Sequence, residues 1–138
     1  MKYKKVIMIV LSMVVVIFGA CTVGSGAQIE LDKDYYDFGD IKLSDGIITQ
    51  TFYIKNTGTE TLEIYGVPTS CGCTKAKVNS NKVEPGEQTE LVVTYDPSVH
   101  PDLRGSFKRL VYIKSNDFMN EELALTLVGN AVAEGGKS

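Results

Sequence analysis

From Ile29 onward, apolar residues recur at every second position. Between Ile48 and Lys55, the residues Ile48, Phe52 and Ile54 share one face, and Thr49, Thr51, Tyr53 and Lys55 share the other. That alternation is the mark of a strand with one dry and one wet side. Leu91, Val93 and Tyr95 repeat it, as do Phe107, Val111 and Ile113, and then Leu123, Leu125 and Leu127. Leu62 and Ile64 begin a further strand, which Gly66 and Pro68 disturb near its end. Turn-forming groups separate the runs: Ser44-Asp45-Gly46, Asn56-Thr57-Gly58, Glu84-Pro85-Gly86, Asp96-Pro97 and Ser115-Asn116-Asp117. Each contains a residue that tolerates positive φ or a proline that interrupts a ladder. No long segment keeps a helical apolar stripe. The pattern predicts seven strands near 29–38, 47–56, 61–68, 74–79, 88–95, 106–115 and 122–131. Short strands at this spacing indicate an all-β, immunoglobulin-like antiparallel sandwich over residues 29–133, with 134–138 a disordered tail.

The first twenty residues follow a different rule. Lys2, Lys4 and Lys5 precede an uncharged apolar run from Val6 to Gly19, the layout of a signal peptide rather than of a membrane-spanning helix of roughly 20 apolar residues. The run ends in Gly19-Ala20-Cys21, small residues that let a peptidase reach the backbone. This ending resembles the lipobox of bacterial lipoproteins, with Phe18 where leucine is usual. The resemblance implies cleavage after Ala20 and a lipid on Cys21, tethering the chain to a membrane through acyl groups. Residues 22–28, Thr-Val-Gly-Ser-Gly-Ala-Gln, are small and uncharged and read as a flexible tether. The expected location is the cell envelope, with the domain facing the periplasm or the cell exterior.

Charge then narrows the partners. The chain of 138 residues is 43% hydrophobic and 22% charged, a globular balance for one domain. Its formal charge is −3, but removing the leader's three lysines takes the 14 basic residues to 11 against 17 acidic ones, near −6. Such a domain is a poor match for nucleic acid or an anionic bilayer face. Arg104, Lys108 and Arg109 form a basic group without an aromatic platform and read as a solvated strand face. Tyr35-Tyr36 reads as edge-strand packing. No P-loop, GxSxG, HExxH or GxGxxG occurs, so a non-enzymatic domain is expected, with no cofactor and no identifiable small-molecule substrate.

The sharpest chemical feature is Ser70-Cys71-Gly72-Cys73-Thr74. An exported thiol pair meets an oxidising compartment. Gly72 is expected to allow the tight turn that brings the two α-carbons within about 4.4–6.8 Å, the range of a disulfide. So small a ring strains the bond and makes it reducible, while constraining little of the unfolded chain. Three chemistries compete: an inert disulfide or packed thiol pair, a working thiol–disulfide site, and a soft-metal site for copper(I) or zinc. Two thiolates, Cys71 and Cys73, could hold linear copper(I), whereas tetrahedral zinc would need further ligands; only His100 and Met119 are available, and the sequence places neither nearby. His100, between Pro97 and Pro101, reads first as a surface-loop residue.

Several motifs occur together in one order: Phe38-Gly39-Asp40-Ile41, Phe52 to Gly58, Ser70 to Thr74, Pro85-Gly86-Glu87, Val93 to Pro97 and Lys114 to Asp117. Together they resemble DUF1573, an uncharacterised family of exported bacterial proteins. It is related in fold to the ASPM/SPD-2/Hydin and major-sperm-protein domains. The resemblance covers Asp37 to Ala131, with a longer connection at Ser98 to Leu103. It implies a seven-stranded sandwich and a non-enzymatic role, and supplies no substrate. The resulting expectation is a lipid-tethered binding or structural module with an envelope protein as partner. The alternative is a thiol-redox or copper-handling protein using Cys71 and Cys73.

Overall fold

The structure is a computed structural model that describes residues 25–134. The leader, Cys21 and the last four residues lie outside the described part. Nine strands follow in chain order: β1 (Ile29–Leu31), β2 (Tyr35–Ile41), β3 (Ile48–Asn56), β4 (Leu62–Gly66), β5 (Thr74–Val78), β6 (Lys82–Val83), β7 (Gln88–Tyr95), β8 (Gly105–Ser115) and β9 (Glu122–Ala131). They form two packed sheets, one ordered β1-β3-β7-β5 and the other β2-β9-β8-β4-β6. The immunoglobulin-like sandwich is therefore present, with nine strands in place of seven. No helix among the described residues is long and apolar enough to cross a membrane.

Two differences have one cause. The expected strand over 29–38 is split: β1 lies in the first sheet and β2 in the second. The break falls at Asp32, whose carboxylate accepts the N–H of Tyr53 at 2.8 Å while its own N–H donates to the Tyr53 carbonyl at 3.0 Å. That exchange closes the ladder with β3, and the chain crosses over. It keeps its heading, so β2 meets β9 running the same way, and this pair is parallel in an otherwise antiparallel fold. The other added strand, β6, is only two residues long and borders β4.

Within β2 the register slips between Asp37 and Asp40. Gly39 sits at φ 69° and its N–H donates to Asp37 Oδ1 at 2.8 Å, a bulge that only glycine adopts without strain.

The core lies between the sheets. Phe52, Ile54, Leu62, Leu91, Val93, Val111, Ile113, Leu125 and Leu127 are fully buried, as their alternation predicts. A second apolar group closes one end: Ile41, Cys73, Tyr95 and Phe107, flanked by Phe38, Ile48, Cys71 and Leu103. The Tyr95 ring stacks on Phe107 at 4.9 Å and on Phe38 at 5.8 Å. Gly129 makes room for this stack, because a Cβ there would stand 2.6 Å from Phe107 Cζ.

The opposite end receives the incoming chain. The segment expected to be a free tether through Gln28 is built into the domain from Gly26 onward. Ala27 is buried, the Gly26 carbonyl accepts the Thr59 N–H at 2.8 Å, and Thr57 N–H donates to Gln28 O at 2.9 Å. Asn56, also buried, ties the region together. Its Oδ1 accepts the N–H groups of Gln28 and Gly58, and its Nδ2 donates to the carbonyls of Glu60 and Val83. At the other terminus Glu134, the first residue of the expected tail, accepts the N–H of Ser44; residues 135–138 lie outside the described part.

Candidate functional site

The chain leaves β4 after Gly66 and crosses to the first sheet through Val67 to Cys73. The Tyr112 N–H donates to Pro68 O at 2.8 Å, and Ser70 N–H donates to Leu110 O at 2.9 Å. Thr69 Oγ1 then bridges the turn, donating to Cys71 O and to Thr74 O. These bonds fix the start of β5 and with it the two cysteines. Cys71 and Cys73 are joined in a disulfide, with α-carbons 5.2 Å apart. Gly72 is not the reason the turn closes. It has no positive φ, and a Cβ there would meet nothing within 4 Å.

The two sulfurs occupy different surroundings. Cys73 is 1% exposed and packs against Tyr95 and Phe107, whereas Cys71 is only partly buried. Arg109 Nε donates to Cys73 Sγ at 3.1 Å. Its guanidinium lies over the Phe107 ring, 5.4 Å from the centroid, and its NH1 donates to Lys108 O. Thr74 Oγ1 is 3.7 Å from Cys73 Sγ. On the open side, His100 Nε2 lies 3.3 Å from Cys71 Sγ, and the N–H of Cys73 donates to Cys71 Sγ at 3.2 Å. Tyr95 shares the buried cluster with Cys73. Burial pushes its hydroxyl pKa up, with Arg109 opposing and Asp96 adding to the rise.

His100 sits in an ordered loop. Asp96 caps the short turn Pro97–Val99, accepting from the N–H and the hydroxyl of Ser98. Those two bonds hold the Asp96 carboxyl below its ordinary range. Arg104 NH1 donates to the carbonyls of Pro101 and Leu103, strapping the far side. Val99, His100, Pro101, Asp102, Leu103 and Arg109 thus line a shallow depression, whose His100 touches the Cys71 sulfur.

The structure brings together Cys71, Cys73 and His100, whose ligand atoms lie within 4.8 Å of one another. It does not bring Met119, which belongs to the β8–β9 turn near Ile29, at the other pole. The basic group does not act as one. Arg104 and Lys108 are exposed, but Arg109 turns inward and is corrected from a solvated strand residue to a contact of the disulfide. The signal was present in the alternation, because Arg109 shares its register with Phe107, Val111 and Ile113. A charge on the inward side of a strand must find a partner. Tyr35 and Tyr36 divide as edge residues do: Tyr35 is exposed and Tyr36 packs edge-on against Phe38 and Phe52.

The family description "Protein of unknown function (DUF1573)" matches residues 29–131. The chain belongs to the DUF1573 family. It is similar to a protein of unknown function from Porphyromonas gingivalis W83, at 24% identity and a TM-score of 0.69. That match covers 83% of this chain and 51% of the other, so this DUF1573 chain spans about half the Porphyromonas protein's length. The ASH / PapD-like domain 7 of human CEP192 matches with a TM-score of 0.55 at 12% identity, over 78% of this chain and 87% of that one. The secreted serine protease VesC from Vibrio cholerae matches with a TM-score of 0.56 at 12% identity, over 82% of this chain and 24% of that one. These likenesses show the sandwich fold alone. No curated protein matches the sequence.

Proposed function

We propose that this DUF1573 protein is a lipid-anchored envelope protein whose sandwich acts by binding a protein partner, not by turnover. In this reading Cys21 carries the lipid and the disulfide end of the domain meets the partner. One observation supports it above the others: the chain enters the domain at one pole and the disulfide lies at the opposite pole. In the first sheet, Ile29 pairs with Asn56 at one end of β3, while Tyr95 joins both Ile48 and Thr74 at the other. The nine residues of β3, at about 3.3 Å each, separate the two ends by roughly 27 Å. A lipid five residues before Gly26 would therefore leave the disulfide facing away from the bilayer.

Two measurements test this. Mass spectrometry of the membrane-extracted protein should find Cys21 as an acylated N-terminus, and Cys21→Ser should remove the acyl group. A photocrosslinker at Val99 should capture an envelope protein that one at Met119 does not. An unmodified Cys21, or equal capture from both poles, would sink the reading.

A second reading has its own support. Each sulfur touches a nitrogen-bearing side chain, Arg109 on Cys73 and His100 on Cys71, and an inert staple requires neither. This favours thiol–disulfide chemistry at the same pole.

A further inference from the structure

We propose that Cys71–Cys73 is a polarised disulfide that accepts two electrons from a dithiol on the partner protein. Cys71 is the sulfur attacked and Cys73 the sulfur that leaves. The inference rests on the disulfide pole being the working surface, and it does not depend on the lipid anchor.

Access sets the direction. A thiolate attacks in line with the S–S bond, from behind the sulfur it joins. Cys73 is 1% exposed in the cluster with Tyr95 and Phe107, whereas Cys71 is only partly buried and its sulfur lies 3.3 Å from His100, which lines the open depression. Leaving ability sets it again. Exchange is faster when the departing thiol has a low pKa, and a guanidinium beside a sulfur lowers it. Arg109 Nε already donates to Cys73 Sγ, held by the Phe107 ring and by Lys108 O. Negative charge arriving on that sulfur meets a donor that need not move. The same guanidinium opposes a cation at Cys73, which disfavours the soft-metal alternative.

The step balances without another reagent. The partner's first thiolate bonds to Cys71 Sγ, the Cys71–Cys73 bond breaks, and its electron pair stays on Cys73. The partner's second thiolate then attacks its own first sulfur and frees Cys71. The partner dithiol loses two electrons and two protons and becomes a disulfide, and Cys71 and Cys73 take up both. His100 Nε2, 3.3 Å from Cys71 Sγ, is placed to donate to the sulfur so released. His100 and Arg109 are thus assigned to opposite ends of one bond.

Full-length protein extracted in detergent provides the test, with glutathione as the monothiol probe and dithiothreitol as the dithiol. Acid-quenched, alkylated samples should carry glutathione on Cys71 at least about tenfold more often than on Cys73, as fragment-ion mapping reads it. Arg109→Gln should slow opening by dithiothreitol about tenfold and shift the equilibrium about tenfold toward the disulfide, or about 30 mV. Lys77→Gln, which removes an exposed β5 charge that touches neither sulfur nor the His100 loop, should change neither quantity, and Arg109→Lys should restore part of the loss. Melting curves of the oxidised variants separate these effects from misfolding. Adducts on Cys73 in equal or greater yield would overturn the assignment, as would an Arg109→Gln rate within twofold of the parent. So would one copper(I) held per chain by the reduced protein with no mixed disulfide formed. Failure of this chemistry with pole-specific crosslinking intact leaves the binding role standing.

Discussion

The carboxylate of Asp117 accepts the backbone N–H of Ile29 at 3.0 Å, across a separation of 88 residues. It also accepts from the N–H groups of Met119 and Asn120 and from the Asn120 side chain. One 1%-exposed aspartate thus joins the first strand to the β8–β9 turn. Burial pushes its pKa up, but the donors around it outweigh burial and hold the carboxyl below its ordinary value of 3.8.

Asp117→Ala should therefore destabilise the domain by roughly 1–3 kcal/mol, because it strands the buried N–H of Ile29. The pH dependence follows from the sign of the shift. A carboxyl with a depressed folded pKa contributes stability that is full above its unfolded value and lost as pH falls through the folded one. Thermal melts of the parent should fall on acidification below about pH 4. Asp117→Asn should start lower and lack that part of the decline. A parallel decline in both proteins would refute the assignment.

Val93 and Val111 are fully buried on β7 and β8. Val93→Asp and Val111→Asp should unfold the domain, since an unpaired buried charge costs several kcal/mol against a total of about 5–15. Thr94→Asp should melt within about 0.5 kcal/mol of the parent. Its side chain lies on the outer face, paired across the sheet with Thr49 and Lys75, and Lys75 offers the new carboxylate an opposite charge. Equal loss in all three would contradict the faces.

Two glycines should behave oppositely. Gly129→Ala pushes a methyl group into Phe107 and should cost about 1–3 kcal/mol by overpacking. Gly72→Ala adds its methyl to open space at an ordinary φ. It should leave both melting temperature and disulfide yield unchanged, as non-reducing peptide maps would read.

Replacing both Cys71 and Cys73 by serine should leave the fold intact and lower stability by under about 2 kcal/mol, because the closed loop is so short. A collapse of the near-ultraviolet circular dichroism signal would mean instead that the sulfurs hold the Tyr95–Phe107 end together.

Most strands were legible because each has one wet face, and period two reports a wet face directly. The inward residues of β3, β7, β8 and β9 are the alternating ones. The sheet switch at Asp32 was not legible, since the group that ends β1 is the Tyr53 backbone, a partner known only once β1 and β3 are paired. The disulfide was visible as a local motif. Its neighbours were not, for His100 and Arg109 lie 29 and 36 residues away and reach it only through the fold. Tight turns drew attention to Gly72, whereas the close approaches fall at Gly58, beside the incoming chain, and at Gly129, beside the aromatic stack.

The two-pole layout also has a mechanical side. β1 begins at the pole where the chain enters and runs toward the disulfide, hydrogen-bonded to β3 through three registered pairs. If, as proposed, a membrane holds one end and a partner the other, tension would run along these strands. The β1–β3 bonds and the Asp117 clamp on Ile29 would then be loaded together in shear, not opened one after another like a zipper. Resistance to pulling would reside in the first few residues of the domain, far from the sulfurs, and a tug on the partner would reach the tether with the disulfide end still folded.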